Sequence, residues 1–165
     1  MLIIICGLPG SGKSSLSQEI MKIIPAEYLN SDVIRKQMFS NPEYSEEEKK
    51  RVYHEMAGKV RDYLDQGKNV IADATFFKKE YRQMMTEGCR KHYIIRCILP
   101  EEHVKQRIEG RTMKGGDPSD ADYNVYLELK KEFEPIEGEH LEVDCSLEKE
   151  DIMKRVKEFL GVADG

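Results

Sequence analysis

Much that would place this chain in a class is missing from it. No stretch approaches the ~20 consecutive apolar residues of a membrane span. The first apolar run, Leu2–Cys6, is far too short for a signal peptide, and Met1 leads straight into it. A chain without a targeting segment or membrane partner, working in the cytoplasm, is expected. The four cysteines, Cys6, Cys89, Cys97 and Cys145, include no C-x-x-C pair and no zinc spacing. This argues against a disulfide framework or metal cluster; three of them sit in or beside apolar runs, where a reduced thiol behaves as a small core residue. The four histidines, His54, His92, His103 and His140, show no cluster spacing. An excess of positive charge is also missing. The net charge of −5 disfavours broad binding along nucleic-acid backbones, while leaving room for a local basic channel that takes one strand end. There is no internal repeat, low-complexity tract or linker. With 165 residues, 39% hydrophobic and 35% charged, a single domain over 1–165 with one substantial core is expected.

What is present begins at residue 7. The segment Gly7-Leu8-Pro9-Gly10-Ser11-Gly12-Lys13-Ser14 directly follows the apolar run Leu2–Cys6. This is the pattern G-x-x-x-x-G-K-[ST], whose glycines let the backbone curl so that its N–H groups cradle phosphates. A buried strand delivers the chain and a helix opens after it, adding its positive dipole end. Leu8, Pro9, Gly10, Ser11, Gly12, Lys13, Ser14 and Ser15 are the candidate triphosphate-binding residues. Lys13 is placed to reach the β- and γ-phosphates, and the Ser14 hydroxyl to ligate Mg²⁺. The chain is expected to bind a nucleoside triphosphate.

Apolar runs at Leu2–Cys6, Glu27–Asn30, Asn69–Asp73, Tyr93–Leu99 and His140–Asp144 read as strands. Helical faces lie between them: Leu16, Ile20, Ile23 and Ile24, then Val52, Met56, Val60, Tyr63 and Leu64, and finally Ile152, Val156, Phe159 and Leu160. Ser45 with Glu48 forms a capping box at the start of the long second helical pattern, and Gly161 ends the last one. Strands alternating with helices imply an α/β protein with a parallel sheet covered on both faces, which binds ligands at its strands' carboxyl ends. The glycine-rich, charged stretch Gly110–Asp120 breaks the rhythm. It reads either as an exposed loop or as a mobile lid over bound nucleotide.

Several charged residues fall at those strand ends. Asp32 and Arg35 follow the second strand three apart, so a helix beginning there projects both to one side. Phosphoryl transfer to a hydroxyl needs a carboxylate to accept the proton and a cation to position the reactants. Capping by Asp32, with Arg35 on the surface, is the plainer alternative. Asp73 closes the third strand, where it could hold Mg²⁺ through water, orient Arg35, or simply bond nearby backbone. Thr75, Phe76 and Phe77 follow in a loop expected to face an acceptor; the aromatics either stack on a base or pack. Arg107 and Arg111 lie four apart on the helix leading to the glycine-rich stretch and could converge on phosphates, cover the adenine, or simply form an exposed charged helix face. Lys78, Lys79 and Arg82 form either a basic rim or, more simply, solvated surface, and the Glu46–Arg51 run reads as a solvated helix face.

Taken together, these residues make the chain resemble the small P-loop kinases related to polynucleotide 5′-hydroxyl kinases and to zeta toxins. The resemblance rests on Gly7–Ser14, on Asp32-x-x-Arg35, on Asp73 within Ile71-Ala72-Asp73-Ala74-Thr75, and on Arg107 and Arg111 before a glycine-containing lid. Phe76 stands where the family usually has Asn. The resemblance implies a three-layer α/β/α fold, a five-stranded parallel sheet of order 2-3-1-4-5, and a mobile lid over about 107–122. It further implies ATP and Mg²⁺ as cofactors, Asp32 as general base, Arg35 as acceptor-positioning residue, and Lys13 with the lid arginines stabilising the transition state. Asp32, Arg35, Asp73 and Thr75 would meet the acceptor, and Ser14 and Asp73 the metal. The first expectation for that acceptor is a nucleic-acid 5′-hydroxyl end, with a metabolite, sugar derivative or antibiotic hydroxyl close behind. No Asp-Gly-x-Pro-Arg segment points to a nucleoside monophosphate, and no Asn/Thr-Lys-x-Asp segment reads guanine. A nucleotide-dependent switch or slow ATPase is the reading from a different class.

Overall fold

The structure, a computed structural model, describes residues 1–114 and 123–163, and of 111–114 the backbone only. Twelve elements follow one another: β1 (Leu2–Cys6), α1 (Lys13–Ile23), β2 (Glu27–Asn30), α2 (Ser31–Met38), α3 (Glu46–Asp65), β3 (Val70–Asp73), α4 (Lys79–Thr86), β4 (His92–Ile98), α5 (Glu101–Lys114), α6 (Tyr123–Glu132), β5 (Leu141–Asp144) and α7 (Lys149–Leu160). The strands form one sheet of order β2-β3-β1-β4-β5, and every pairing in it is parallel.

Alternation along β1 explains the layers. Leu2, Ile4 and Cys6 face one side, where they pack with Ile34 of α2, Val52, Met56 and Val60 of α3, and Tyr81 and Met85 of α4. Ile3 and Ile5 face the other side, where Leu16 and Ile20 of α1 and Val156 and Leu160 of α7 cover them. A strand buried on both faces must be apolar throughout, which is why β1 reads as an unbroken hydrophobic run. A smaller cluster joins α5 and α6 through Val104, Ile108 and Tyr126. Among the described residues no helix is long and apolar enough to cross a membrane, and the four cysteines are free.

Three local features differ from expectation. Asn69 does not enter β3: its side chain accepts from the Met1 amino group at 3.0 Å and donates to the Pro25 carbonyl at 3.2 Å, tying Met1 to two loops. The capping box at α3 is only half made. Ser45 Oγ accepts the Glu48 N–H at 3.1 Å, but the Glu48 carboxylate accepts instead from the N–H groups of Glu43 and Tyr44, at 2.7 and 3.2 Å. The α2 helix is capped by Asn30, whose Oδ1 accepts the N–H groups of Asp32 and Val33 at 2.9 and 3.2 Å. Capping therefore makes no demand on the Asp32 carboxylate.

The sheet order brings the site together. The chain passes from β3 to β4 across β1, so the carboxyl ends of β3, β1 and β4 form a topological switch point, the usual crevice of an open α/β sheet.

Candidate active site

The phosphate loop leaves β1 at Gly7, whose N–H donates to the Thr75 carbonyl at 3.3 Å. Gly7 has φ 147°, and a Cβ there would lie 2.6 Å from the Cys97 carbonyl oxygen of β4. Gly12 caps α1 at φ 101°; a Cβ there would meet Arg107 Nη1 at 2.9 Å and Cys145 Cβ at 3.1 Å. The backbone favours glycine at both positions, and at Gly7 the neighbouring backbone oxygen also leaves no space for a Cβ. The α1 N-terminus has neither a side-chain cap nor an acidic residue in its first turn. Its N–H groups therefore remain for an anion. Lys13 Nζ donates to the Leu8 carbonyl at 3.1 Å, curling back over the loop. The buried Ser11 hydroxyl has no hydrogen-bond partner among the described residues. Of the predicted loop residues, Pro9, Lys13 and Ser14 line the adjoining cavity, and Leu8 packs against core residues. Gly10 rests against Val104 and Ile108 of α5. Ser15 is exposed and does not line the cavity.

Arg107 comes from α5, on the far side of the loop, and its Nη2 donates to the Cys145 carbonyl at 3.4 Å. That bond holds its guanidinium beside Gly12. The Arg111 side chain and the core of the predicted lid, 115–122, lie outside the described residues.

Ser14 and Asp73 meet. Ser14 Oγ donates to Asp73 Oδ2 at 3.4 Å, and the Tyr28 hydroxyl of β2 donates to the same oxygen. Asn30 Nδ2 in turn donates to the Tyr28 oxygen at 3.3 Å. Of the alternatives for Asp73, the structure places it beside Ser14 rather than against Arg35. Burial raises its proton affinity, opposed by the Lys13 charge and the Tyr28 hydrogen bond. Among the described residues no group of three or more His, Cys, Asp or Glu side chains could hold a metal by itself. A hydroxyl beside one carboxylate suits Mg²⁺, which binds through one or two protein groups and completes its shell with phosphate oxygens and water.

On the other wall, Asp32 and Arg35 project from α2 as their spacing predicts, with Arg35 Nη1 3.2 Å from Asp32 Oδ1. Arg35 is not a surface residue; it is 6% exposed. Its Nε lies 3.1 Å from Oε1 of the buried Glu48, and its guanidinium sits over the Tyr44 ring, 4.4 Å from the centroid. The Glu46–Arg51 run is therefore not simply a solvated face, because Glu48 turns inward and Glu46 and Lys49 line the cavity. Burial raises the proton affinity of the half-buried Asp32, against the pull of Arg35 and Lys13.

The two walls enclose a cavity of about 630 Å³, bounded by the phosphate loop, α2, residues 43–46, α3, the β3 end and α6. Thr75 and Phe77 line it. Phe76 does not: it is fully buried at φ 49°, with its N–H donating to the Tyr53 hydroxyl at 3.0 Å and its ring against that of Tyr53. Phe76 thus packs, and Phe77 also packs edge-on against Tyr81. The basic triplet is dispersed. Lys78 pairs with Glu46 at 3.0 Å and Lys79 with Glu137 at 2.8 Å. Arg82 is buried rather than solvated, donating to the carbonyls of Phe76, Pro135 and Glu134 at 2.6, 3.0 and 3.1 Å. None of the three lines the cavity.

Sequence reasoning missed Glu48, Tyr44, Tyr53 and Tyr28. Glu48 was legible only as a cap, and the tyrosines carry no spacing signal that separates a site residue from a packed one. The assembled constellation is an amide-lined anion cradle with a lysine, a hydroxyl–carboxylate pair, and a carboxylate of raised basicity beside a guanidinium. It can hold a polyphosphate, take a proton from a hydroxyl, and absorb negative charge between them.

Comparison with known proteins agrees with this architecture. The sequence model of the AAA domain family matches residues 2–136, and the chain belongs to that family. No curated protein matches the chain by sequence. Among chains of known structure, an unliganded sugar kinase from Janibacter sp. HTCC2649 superposes with a TM-score of 0.74 at 17% identity, covering 98% of this chain and 95% of that one. The APS kinase of Mycobacterium tuberculosis in complex with AMPPNP and APS gives 0.69 at 16% identity, covering 97% and 96%. A chain of the Pnkp1/Rnl/Hen1 RNA repair complex gives 0.64 at 22% identity, covering 80% of this chain but 43% of that one. At these identities the likeness establishes the fold, that of the three-layer P-loop kinases with sheet order 2-3-1-4-5.

Proposed function

We propose that this AAA-domain-family member is an Mg²⁺- and ATP-dependent phosphotransferase whose acceptor is a hydroxyl of a small, polyhydroxylated molecule of sugar-like size. The observation that carries the reading is the pairing of Asp32 and Arg35 across one cavity from Lys13 and Ser14. A cavity of about 630 Å³ lies within the range of small-molecule sites. Its charged lining is mostly acidic: Asp32, Glu43, Glu46, Asp73, Glu128 and Glu132 against Lys13, Arg35 and Lys49. A nucleic-acid strand would bring its phosphates against those carboxylates, and the dispersed Lys78, Lys79 and Arg82 offer it no rim. The 5′-hydroxyl end is for this reason the weaker reading, although the fold likeness to an RNA-repair chain keeps it as an arm of the test. The likeness to a sugar kinase is in keeping with a small acceptor.

In this reading backbone N–H groups of the phosphate loop and the α1 start, with Lys13 and Arg107, hold the triphosphate. Ser14, backed by Asp73 and Tyr28, would hold Mg²⁺, which when bound neutralises charge on the β- and γ-phosphate oxygens. Arg35 orients the acceptor, and Asp32 accepts the proton as the acceptor oxygen bonds to the γ-phosphorus. The bond from that phosphorus to the bridging oxygen breaks, and ADP leaves with the electron pair. The protein's work is positioning and electrostatics rather than covalent chemistry.

The test incubates the protein with labelled ATP and a panel of sugars, polyols and amino sugars beside a 5′-hydroxyl oligonucleotide. Label is expected on a small hydroxyl compound, with turnover falling roughly 10³-fold in Asp32→Ala. Transfer to the oligonucleotide alone would overturn the choice of acceptor. Slow hydrolysis indifferent to every acceptor and to Asp32→Ala would replace the kinase with a nucleotide switch.

A further inference from the structure

The Arg35 side chain is long, and within α2 its guanidinium is met at one end only, where Nη1 donates to Asp32 Oδ1. Its surroundings meet the rest. Glu48 reaches in from α3, and both side chains are 7% exposed. The two oxygens of this one carboxylate are divided. Oε1 lies 3.1 Å from Arg35 Nε, in charge contact rather than an aligned hydrogen bond. Oε2 accepts the N–H groups of Glu43 and Tyr44. Tyr44 holds the left-handed conformation, φ 58°, which a residue with a Cβ rarely adopts without support. The Tyr44 ring lies under the same guanidinium, 4.4 Å from Cζ to its centroid.

From this geometry we infer that Glu48 is a positioning residue for the acceptor half of the site. It fixes the guanidinium of Arg35 at one end and the cavity wall formed by Glu43 and Tyr44 at the other, so that cation and wall form one unit. Arg35 is shared between two carboxylates, Glu48 through Nε and Asp32 through Nη1. The sharing matters chemically. An arginine held by Glu48 offers Asp32 a single edge. An arginine released from Glu48 is free to turn its whole fork onto Asp32, engaging the group that must accept the acceptor's proton. Breaking a buried pair by removing one partner is also costly in itself, since the other charge is left without compensation.

The activity arm of the test rests on the phosphotransferase reading above; a spectroscopic arm does not. In the first arm, Glu48→Gln and Glu48→Asp are assayed with whichever panel compound the wild type phosphorylates. Expected are a roughly 100-fold fall in kcat for Glu48→Gln with KM for ATP unchanged, and a smaller fall for Glu48→Asp. Because Glu48 acts through Arg35, Glu48→Gln adds no further loss in an Arg35→Lys background. In the second arm, the Arg35 Nε–H resonance of the whole protein is followed by NMR, assigned by its disappearance in Arg35→Lys. Its chemical shift is expected to move in Glu48→Gln, which removes the carboxylate charge beside Nε. Full kcat in Glu48→Gln, a fall of equal size in both backgrounds, or an unchanged Nε–H resonance would each overturn the inference. If the wild type labels no acceptor, the functional reading falls, and the resonance alone decides whether Glu48 holds Arg35. Should Glu48→Gln fail to fold, the shorter carboxylate of Glu48→Asp carries both arms.

Discussion

The donor and acceptor halves of the cavity are built from different material. The donor half is mostly backbone: the amides of the phosphate loop, two glycines at positive φ of which Gly7 has no room for a Cβ, and an uncapped helix start. The acceptor half is mostly side chains drawn from separate elements, with Asp32 and Arg35 from α2, Glu48 from α3, and Tyr44 from the loop between them. Backbone recognition tolerates changes of side chain but no change of chain path. Side-chain recognition is the reverse. The same fold can thus keep its donor and exchange its acceptor by altering a handful of residues.

This contrast can be broken experimentally. The largest effect is expected from Gly7→Ala, where a Cβ would lie 2.6 Å from a backbone oxygen of the neighbouring strand. A destabilisation of about 3 kcal/mol is expected in chemical denaturation, because neither partner can rotate away. A loss below about 0.5 kcal/mol would show that the loop shifts easily and the donor half is less rigid than described.

A smaller, pH-dependent effect is expected at Asp73. Its proton affinity in the folded protein is raised above the ordinary carboxylate value of 3.8, chiefly by burial. The folded state therefore binds that proton more tightly than the unfolded chain, and stability falls as pH rises through the interval between the two values. Asp73→Asn should be more stable than wild type at neutral pH, with the difference closing below the ordinary carboxylate range, while activity is lost. Equal stability at neutral pH, followed by denaturation, would show that Tyr28, Ser14 and Lys13 offset the burial fully. The smallest effect is expected from Lys78→Ala and Lys79→Ala, whose own side chains, paired with Glu46 and Glu137, do not line the cavity. Turnover on a small acceptor should not change; a selective loss of transfer to an oligonucleotide would restore the strand-end reading.

Legibility from sequence follows the same division. The phosphate loop could be read directly because its chemistry is local, with eight consecutive residues doing the work. The strands could be read because burial on both faces leaves apolar runs, and the sheet order followed from the family resemblance those motifs support. Asp32 and Arg35 were visible because helical spacing places them on one side. Glu48 was not, for it sits 13 positions beyond Arg35 and its partnership exists only after α3 packs on α2. Its Ser-x-x-Glu context pointed to a routine cap. Arg82 misled for a related reason: a basic residue near a helix start reads as surface, and only the fold shows three carbonyls converging on it. The Arg111 side chain and residues 115–122 lie outside the described residues, so the lid stays an expectation.

The central position of β1 has a consequence for how the chain is made. Leu2–Cys6 is the innermost strand and the first to be synthesised, and its hydrogen-bonded neighbours are β3 and β4. Leu2 pairs with Val70 on one side and His92 on the other. At about 5–20 residues per second, the first partner emerges some 3 to 13 s after the strand that needs it. For that time five consecutive apolar residues with both edges open are carried by a growing chain. Gly7–Ser14 can take its shape only when β3 and β4 arrive, so nucleotide added during translation should bind late and abruptly. The newborn chain is expected to be most prone to aggregate before residue 70 emerges.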